Sequence, residues 1–312
     1  MKTFAHWLWE RMTTWLMKDR PPPVTPLCDF KRLVEELRPA DIVLVEGRSR
    51  VSDVIKVITQ SAWTHSAMYI GTLDKINDLK VKSWVEAHYT GATDAPLIIE
   101  ALLGEGTIIS PISRYYKDHL RICRPTGLSQ RDANRVIKNV CRQLGNQYDV
   151  RHLLDLARFF FPWFILPRRW RSSLFQHNIG TPTRTVCSCL MAQAFCRINY
   201  PILPFIDRSE DGAIRFYQRN PRLFTPRDFD YSPYFNIIKY PFLSIDDIHL
   251  YRKLPWCKED IYYNDDDNNP ELNIPKKFHQ PMIKKSAEII DLILHRKNSS
   301  KENPIQSVQK EV

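Results

Sequence analysis

Cys187 lies where a thiol can act as a nucleophile. It belongs to the segment TVCSCLMAQAF, residues 185–195, in which Thr185 is a suitable helix N-cap. In the first helical turn, unpaired N–H groups and the positive end of the helix dipole lower the pKa of a thiol. Cys189 is rotated about 200° away, so the geometry selects Cys187, although small buried cysteines are more often inert. The helix is predicted from apolar residues at spacings of three and four: Cys187, Leu190, Met191, Ala194, Phe195 and Ile198.

Two further residues are suited to assist a thiol. His65 lies in a predicted strand, WTHSAMYIG. A lone histidine in a strand is more often structural than catalytic, so it is a catalytic candidate only if suitable partners lie beside it. Glu100 lies in the otherwise apolar predicted strand Ala95–Leu103, where a buried carboxylate is costly unless it is paired. A nearby imidazole is the simplest partner, because the carboxylate would orient it and make it more basic. The competing candidates are Glu86 and His88, which share a face of WVEAHY if that segment is extended.

Other elements are predicted to form the scaffold around these residues. The strands are Asp41–Glu46, 63–71, Ala95–Leu103, Thr107–Ile109 and Leu120–Arg124. One helix is capped by Ser52, and a second starts at the N-cap Ser129, with Asp132 in its first turn, and ends at Gly145. The chain after Tyr200, including LFTPRDFDYSPYF, is predicted to form loops and short extended pieces.

The length of 312 residues, 43% of them hydrophobic, predicts one large domain with appendages. We assign residues 1–26 to an amphipathic helix and a proline linker, 27–256 to the main domain, and 257–312 to an acidic spacer, a last helix and a disordered tail. Seven cysteines without CxxC pairs fit a reducing cytoplasm. Because glycine-rich phosphate loops and metal-ligand spacings are absent from the sequence, no cofactor and no metal are expected.

The formal net charge of +10 predicts attraction to an anionic partner, either lipid or nucleic acid. Residues 3–18 form an amphipathic pattern with interfacial tryptophans, and the stretch Phe159–Arg171 combines aromatic side chains with arginines. Both suit a membrane interface, and packing on the domain explains them equally well. Neither is long enough in apolar residues to span a bilayer. We expect a cytoplasmic protein, which would be peripheral at the inner face of the membrane if these stretches contact lipid. No specific nucleic acid is expected as a partner, and the oligomeric state is not predicted.

The order of these motifs resembles that of a known group of enzymes. RPADIVLVEG, WTHSAMYIG and LIIEALLGEG come first, followed by GNQYDVRHLLDLARF and then by TVCSCLMAQAF with NYPILP. With histidine before cysteine, this is similar to the circularly permuted papain-like cysteine hydrolases, the YiiX/YebB-like group related to NlpC peptidases. The resemblance covers roughly Pro39–Tyr240. Ala40 departs from it by replacing a common glycine, and Cys189 is an unexpected second thiol.

The resemblance implies an α+β fold in which an antiparallel sheet packs against the cysteine helix. It implies that Cys187 is the nucleophile, His65 its general base and Glu100 the group that orients the imidazole, with no cofactor. The implied activity is thiol-dependent hydrolysis of an amide, as in a peptidase or amidase, or of an ester. One alternative is a lipid-directed acyltransferase or lipase, since lecithin–retinol acyltransferases share the permuted arrangement. The other is a non-enzymatic membrane- or nucleic-acid-binding module.

Overall fold

The fold is taken from a computed structural model, which describes residues 11, 18–21, 27–148, 184–185, 187–208, 212–242 and 254. The chain divides into two compact units, Met1–Ser244 and Ile245–Val312, and all described residues but Leu254 belong to the first. The amphipathic pattern of residues 3–18 falls almost entirely outside the described residues. The stretch Phe159–Arg171 and the segment 257–312 lie outside them completely, so the domain limits given above stay predictions.

A six-stranded sheet forms the centre of the first unit, with its strands in the order β10-β5-β1-β2-β3-β4. Every neighbouring pair in it is antiparallel. The two remaining pairs are short: β6 and β7 are parallel, and β8 and β9 form an antiparallel hairpin. In chain order the strands are β1 (Ile42–Glu46), β2 (His65–Gly71), β3 (Leu97–Leu102), β4 (Gly106–Pro111), β5 (His119–Pro125), β6 (Gln147–Tyr148), β7 (Arg184–Thr185), β8 (Phe205–Arg208), β9 (Ile214–Tyr217) and β10 (Phe235–Ile238).

Helices cover both faces of this sheet. The described α-helices are α1 (Phe30–Glu36), α2 (Arg50–Thr59), α3 (Leu79–His88), α4 (Gln130–Cys141), α5 (Cys187–Cys196) and α6 (Pro226–Tyr231). Short 3₁₀ helices lie at Leu73–Lys75, Ile112–Tyr115 and Pro221–Leu223. Among the described residues, no helix is long and apolar enough to cross a membrane.

The side chains of the central strands alternate between two hydrophobic clusters. In β1, Ile42 and Leu44 join the larger cluster, which includes α3, α4 and α5, whereas Val43 and Val45 join the smaller one beneath α1. All four are essentially inaccessible to solvent. Because both faces of the sheet are covered, the strand reads as a continuous apolar run in the sequence, and its hydrophobicity alone does not reveal which residues face which helix.

The cysteine helix α5 is buried on almost every side and packs on β2, β3 and α4. It begins at Cys187, while Thr185 lies in strand β7, so the prediction that Thr185 is the N-cap is wrong. Thr185 stands two positions before the first helical residue, and the residue directly before a helix occupies the cap. Cys189 is buried as well, with 5% of its surface exposed, so its rotation away from Cys187 does not carry it into solvent.

Three other sequence predictions differ from the structure. The N-cap of α2 is Ser49, whose side chain accepts from the Ser52 amide, so Ser52 lies inside the helix that it was predicted to cap. WVEAHY, considered above as an extended segment, is helical over residues 84–88 in α3, and Tyr89 is the C-cap of that helix. The segment predicted to be loops and extended pieces contains helix α6, which begins with a capping box between Thr225 and Asp228. By contrast, the Ser129 cap of α4 is confirmed.

Ala40, where the resemblance leads one to expect glycine, has a left-handed backbone conformation. Its φ angle is +74° and its surface is fully buried. Glycine adopts this conformation without steric cost, whereas alanine pays about 1 kcal/mol or more. The turn persists because it is tied at the Ala40 amide, which donates to the Tyr69 carbonyl at 2.9 Å, and at the Asp41 amide, which donates to the Arg38 carbonyl.

Candidate active site

His65 and Glu100 contact each other across neighbouring strands. His65 is the first residue of β2 and Glu100 lies in the middle of β3. His65 Nε2 is 2.7 Å from Glu100 Oε2. The Glu100 side chain is fully buried and that of His65 is 14% exposed. The paired, buried carboxylate inferred from the apolar strand is therefore present, and its partner is an imidazole.

Three side chains surround the Glu100 carboxylate. Besides the contact with His65, Oε2 accepts a hydrogen bond from the Tyr115 hydroxyl. The other oxygen, Oε1, accepts one from the Ser110 hydroxyl at 2.5 Å. Burial raises the pKa of Glu100, but the hydrogen bond and charge of His65, followed by the hydroxyls of Ser110 and Tyr115, outweigh burial and lower it. The carboxylate is therefore held in its ionised form.

Tyr115 acts only as a donor in this arrangement. Burial, followed by the charge and hydrogen bond of Glu100, raises the pKa of the phenol well above its ordinary value. Its ring also lies beside that of His65, with 6.0 Å between the ring centroids. Tyr115 thus contacts two of the three residues that the sequence proposed for the site.

The sulfur of Cys187 meets the imidazole from the other side. Cys187 is the first residue of α5, and its side chain forms a hydrogen bond with His65. Since Nε2 of the ring is taken by Glu100, Nδ1 is the nitrogen left for the sulfur. Backbone N–H groups of Ser66 and Ser188 also donate to the sulfur. Strand β2 and helix α5 therefore both supply donors to this thiol.

The electrostatics of the pair favour a thiolate beside an imidazolium. Burial raises the pKa of Cys187, but the charge and hydrogen bond of His65, then the backbone donors, lower it below its ordinary value. Burial lowers the pKa of His65, but the charge and hydrogen bond of Cys187, then those of Glu100, raise it. Each partner thus stabilises the charged form of the other. Such an ion pair provides a nucleophile near neutral pH without a separate deprotonation step.

A cavity of about 260 Å³ gives access to this pair. Cys187, His65 and Tyr115 line it together with apolar residues such as Val51 and Leu102. Its volume is close to the lower end of the range for ligand pockets. The structure therefore combines a thiol of lowered pKa, an imidazole in contact with it and a cavity that reaches both.

Cys189 is not part of this arrangement. Its sulfur accepts a hydrogen bond from Gln193 Nε2 at 3.3 Å, one turn further along the same helix. It does not appear among the described residues that line the cavity around Cys187. All six described cysteines are free of disulfide bonds.

The competing pair, Glu86 and His88, is not brought to the site. Both side chains are exposed on α3, and His88 Nδ1 lies 2.9 Å from the Trp84 carbonyl of its own helix. Tyr115 and Ser110, which both donate to Glu100, were not predicted from the sequence. For Ser110 a signal existed, because a tight turn after Leu102 pairs β3 with β4 and brings Ser110 to the same face as Glu100. No pattern marks Tyr115, which follows β4 in a short 3₁₀ helix.

Within the described part of the chain, no group of three or more His, Cys, Asp or Glu side chains is arranged to hold a metal ion.

Comparison with known proteins supports this fold. Residues 36–161 match the family model of permuted papain-like amidase enzymes, the YaeF/YiiX, C92 family. The match includes His65 and Glu100, ends before Cys187, and spans less than half of the 312 residues. The chain has the permuted papain-like fold. The resemblance to YiiX-like proteins drawn from the sequence is thereby confirmed, as is the α+β arrangement of an antiparallel sheet against the cysteine helix.

A solved structure that resembles the chain is the crystal structure of the metalloprotein YiiX from Escherichia coli O157:H7. It shares 14% identity, with a TM-score of 0.40, over 65% of this chain and 97% of the YiiX chain. No match was found among curated proteins. The family match supports a hydrolase of the amidase type.

Proposed function

We propose that the protein is a cysteine amidase in which Cys187 is the nucleophile, His65 the general base and acid, and Glu100 the residue that orients His65. The observation that supports it most is the position of the His65 imidazole, which contacts the Cys187 sulfur on one side and the Glu100 carboxylate at 2.7 Å on the other. This is the order of contacts that nucleophile, base and orienting group require.

The reaction proceeds through a thioester. The Cys187 sulfur attacks the carbonyl carbon, a C–S bond forms, and the C–N bond breaks as the imidazolium of His65 gives its proton to the departing amine. The neutral imidazole then takes a proton from water, and the hydroxide attacks the thioester carbonyl. The C–S bond breaks with its electrons left on sulfur, and the acid product leaves. The proton taken from water stays on His65, so the thiolate–imidazolium pair is restored.

The beginning of α5 also suits the stabilisation of the negative charge that develops on the carbonyl oxygen. The backbone N–H of Cys187 lies in the first turn of a helix, where N–H groups lack intrahelical partners. We assign this amide as an oxyanion donor. The backbone N–H groups of Ser66 and Ser188 donate to the Cys187 sulfur, so they stabilise the thiolate before it attacks.

The test is to trap the acyl-enzyme on Cys187. The full-length protein is mixed with a panel of peptidyl and fatty-acyl nitrophenyl esters and anilides, quenched with acid, and examined by intact-mass and peptide mass spectrometry. We expect one acyl group, located on Cys187. The adduct should disappear in Cys187→Ser and persist in Cys189→Ser, which is the matched control from the same helix. An adduct that survives Cys187→Ser, or that maps to Cys189, would overturn the assignment.

The same reaction separates hydrolysis from acyl transfer. Addition of a small amine or alcohol during turnover diverts the acyl group from water if the enzyme is a transferase. An amidase releases the free acid with or without the added acceptor. We expect the free acid to dominate, and a product that is mainly the amide or ester of the acceptor would assign the protein to acyl transfer instead.

A further inference from the structure

We propose that Tyr115 is a positioning residue whose hydroxyl, acting with that of Ser110, fixes the Glu100 carboxylate so that His65 stays aligned with Cys187. The inference rests on the proposed function, because it adds two residues to the chain of contacts that leads to the thiol. Neither residue was singled out by the sequence, and both reach the carboxylate from outside strand β3.

The two oxygens of Glu100 have different surroundings. Oε1 accepts from Ser110, whereas Oε2 accepts from both Tyr115 and His65. A carboxylate held at one oxygen only can rotate about its last side-chain bond and turn Oε2 away from the imidazole. Donors on both oxygens prevent this rotation, and Tyr115 acts on the very atom that His65 uses.

The placement of Tyr115 favours a role at the reacting centre over general packing. It lines the cavity that contains Cys187, and its ring lies beside that of His65. Its neighbour Tyr116, in contrast, is 62% exposed and packs its ring against Phe30. Two consecutive tyrosines therefore differ in whether their hydroxyl reaches the Glu100 carboxylate, and the second one provides a matched control.

The charged and titratable groups that face Glu100 come from three elements. His65 projects from β2, Tyr115 and Arg114 project from the 3₁₀ helix after β4, and Cys187 from α5 acts on His65 and Tyr115. Of these, Tyr115 is the one that donates a hydrogen bond without carrying a charge of its own. Its hydroxyl can be removed in Tyr115→Phe while the charges of the cluster are left in place.

The measurement is the rate of Cys187 alkylation by iodoacetamide as a function of pH, followed by peptide mass spectrometry on the full-length protein. In Tyr115→Phe the buried carboxylate has one hydrogen-bond donor fewer, so it takes up a proton at a higher pH. A protonated Glu100 no longer stabilises the charged imidazole of His65, and the imidazole then stabilises the Cys187 thiolate less. We expect the acidic limb of the profile to move up by about one pH unit, the size expected when a charged acceptor loses one hydrogen bond. Tyr116→Phe should follow the wild-type profile.

A double-mutant comparison separates action through Glu100 from a packing effect. In the Glu100→Gln background, Tyr115→Phe should produce no additional shift, because the group that it positions is no longer a carboxylate. If Tyr115→Phe reduces the folded population, Ser110→Ala takes its place, and it should shift the limb in the same direction. Superimposable profiles for folded Tyr115→Phe and wild type, or a full shift retained in Glu100→Gln, overturn the proposal.

This outcome is distinguishable from failure of the proposed function. If His65→Ala leaves the alkylation of Cys187 unchanged, the nucleophile and base are misassigned, and the proposed role of Tyr115 is then wrong as well. If His65→Ala suppresses alkylation while Tyr115→Phe has no effect, the proposed function stands and only the positioning role is wrong.

Discussion

Replacing His65 with alanine tests the ion pair on which the candidate site depends. In the wild-type protein the imidazole lowers the pKa of Cys187 against the effect of burial. In His65→Ala that contribution disappears, while burial of the sulfur continues to raise the pKa. We therefore expect Cys187 to change from a thiolate near neutral pH to a protonated thiol whose pKa lies at or above its ordinary value.

The size of the effect follows from the fraction of thiolate. A thiol at the ordinary pKa of 9.0 is about 0.3% ionised at pH 6.5. If the wild-type pair is mostly formed at that pH, the thiolate falls by roughly 300-fold. A thiolate of higher pKa is intrinsically more nucleophilic, with a Brønsted coefficient of about 0.4–0.5, which restores roughly tenfold. The alkylation rate of Cys187 should therefore drop by about 30-fold, which corresponds to roughly 2 kcal/mol.

The assay is competitive alkylation with limiting iodoacetamide at pH 6.5, read by peptide mass spectrometry. Cys187 should be labelled before Cys189 in the wild-type protein, and this preference should be lost in His65→Ala. Glu100→Gln should weaken it less, because the imidazole remains. The matched control is His119→Ala, which removes another histidine that contacts a carboxylate, since His119 Nδ1 lies 3.1 Å from Glu46 Oε2.

Two results would refute the reasoning. One is a Cys187 alkylation rate in His65→Ala within about threefold of the wild-type rate, which the thiolate fractions above do not permit. The other is preferential labelling of Cys189 in the wild-type protein. Either result would make Cys187 an inert buried cysteine, the common state of such residues. Equal losses in His65→Ala and His119→Ala would mean that the rate reports on general stability.

Three further predictions concern stability, pH and membranes. Glu100→Ala leaves the buried Ser110 and the partly buried His65 and Tyr115 without their acceptor, and it should lower the free energy of unfolding in urea by about 3 kcal/mol. Glu105→Ala, at an exposed ion pair with Arg114, should change it by less than about 1 kcal/mol, and equal losses would contradict this prediction. The pKa of Glu46 is lowered to about 2, first by the hydrogen bond from His119 and then by Lys56, and these effects outweigh burial, which raises it. Its contribution to stability is therefore present above the ordinary value of 4.5 and is lost as the pH falls towards 2, so the difference in unfolding free energy between wild type and Glu46→Gln should shrink over that range, and a constant difference would argue against it. Finally, attraction of about 1 kcal/mol per basic residue near an anionic surface predicts salt-sensitive sedimentation with anionic vesicles, and equal recovery in the supernatant with neutral and anionic vesicles would exclude peripheral binding.

The sequence predicted the sheet well because its strands are buried and strongly apolar. A buried strand is strongly favoured by the apolar run Leu97, Ile98 and Ile99. The carboxylate that follows this run is therefore easily recognised as a buried charge that needs a partner. The need to compensate Glu100 then pointed correctly to a nearby imidazole. Hydrophobic burial thus identified both the strand and a contact that lies between residues 35 positions apart.

The errors arose where local patterns were ambiguous. Thr185 and Ser52 have the side chains of cap residues, but the cap is decided by where the backbone enters the helix, and tertiary packing fixes that point. WVEAHY places polar and apolar residues so that both helical and extended periods fit. Tyr115 could not be found because its hydroxyl reaches Glu100 from a short 3₁₀ helix, which carries no periodic signal.

Burial alone does not mark Glu100 as functional, since Asp41 is buried to the same degree. Asp41 is 1% exposed and bonds to Arg124, with Nη2 2.8 Å from Oδ2, and to the Arg38 amide at the same distance. A guanidinium keeps its proton under all ordinary conditions, so this pair can hold the chain in place but cannot transfer a proton. Glu100 is paired with an imidazole, a group that can accept and donate a proton during a reaction, and this imidazole contacts a thiol on its other side. The two buried carboxylates therefore differ in the partner that each one has, and in whether that partner reaches a cavity.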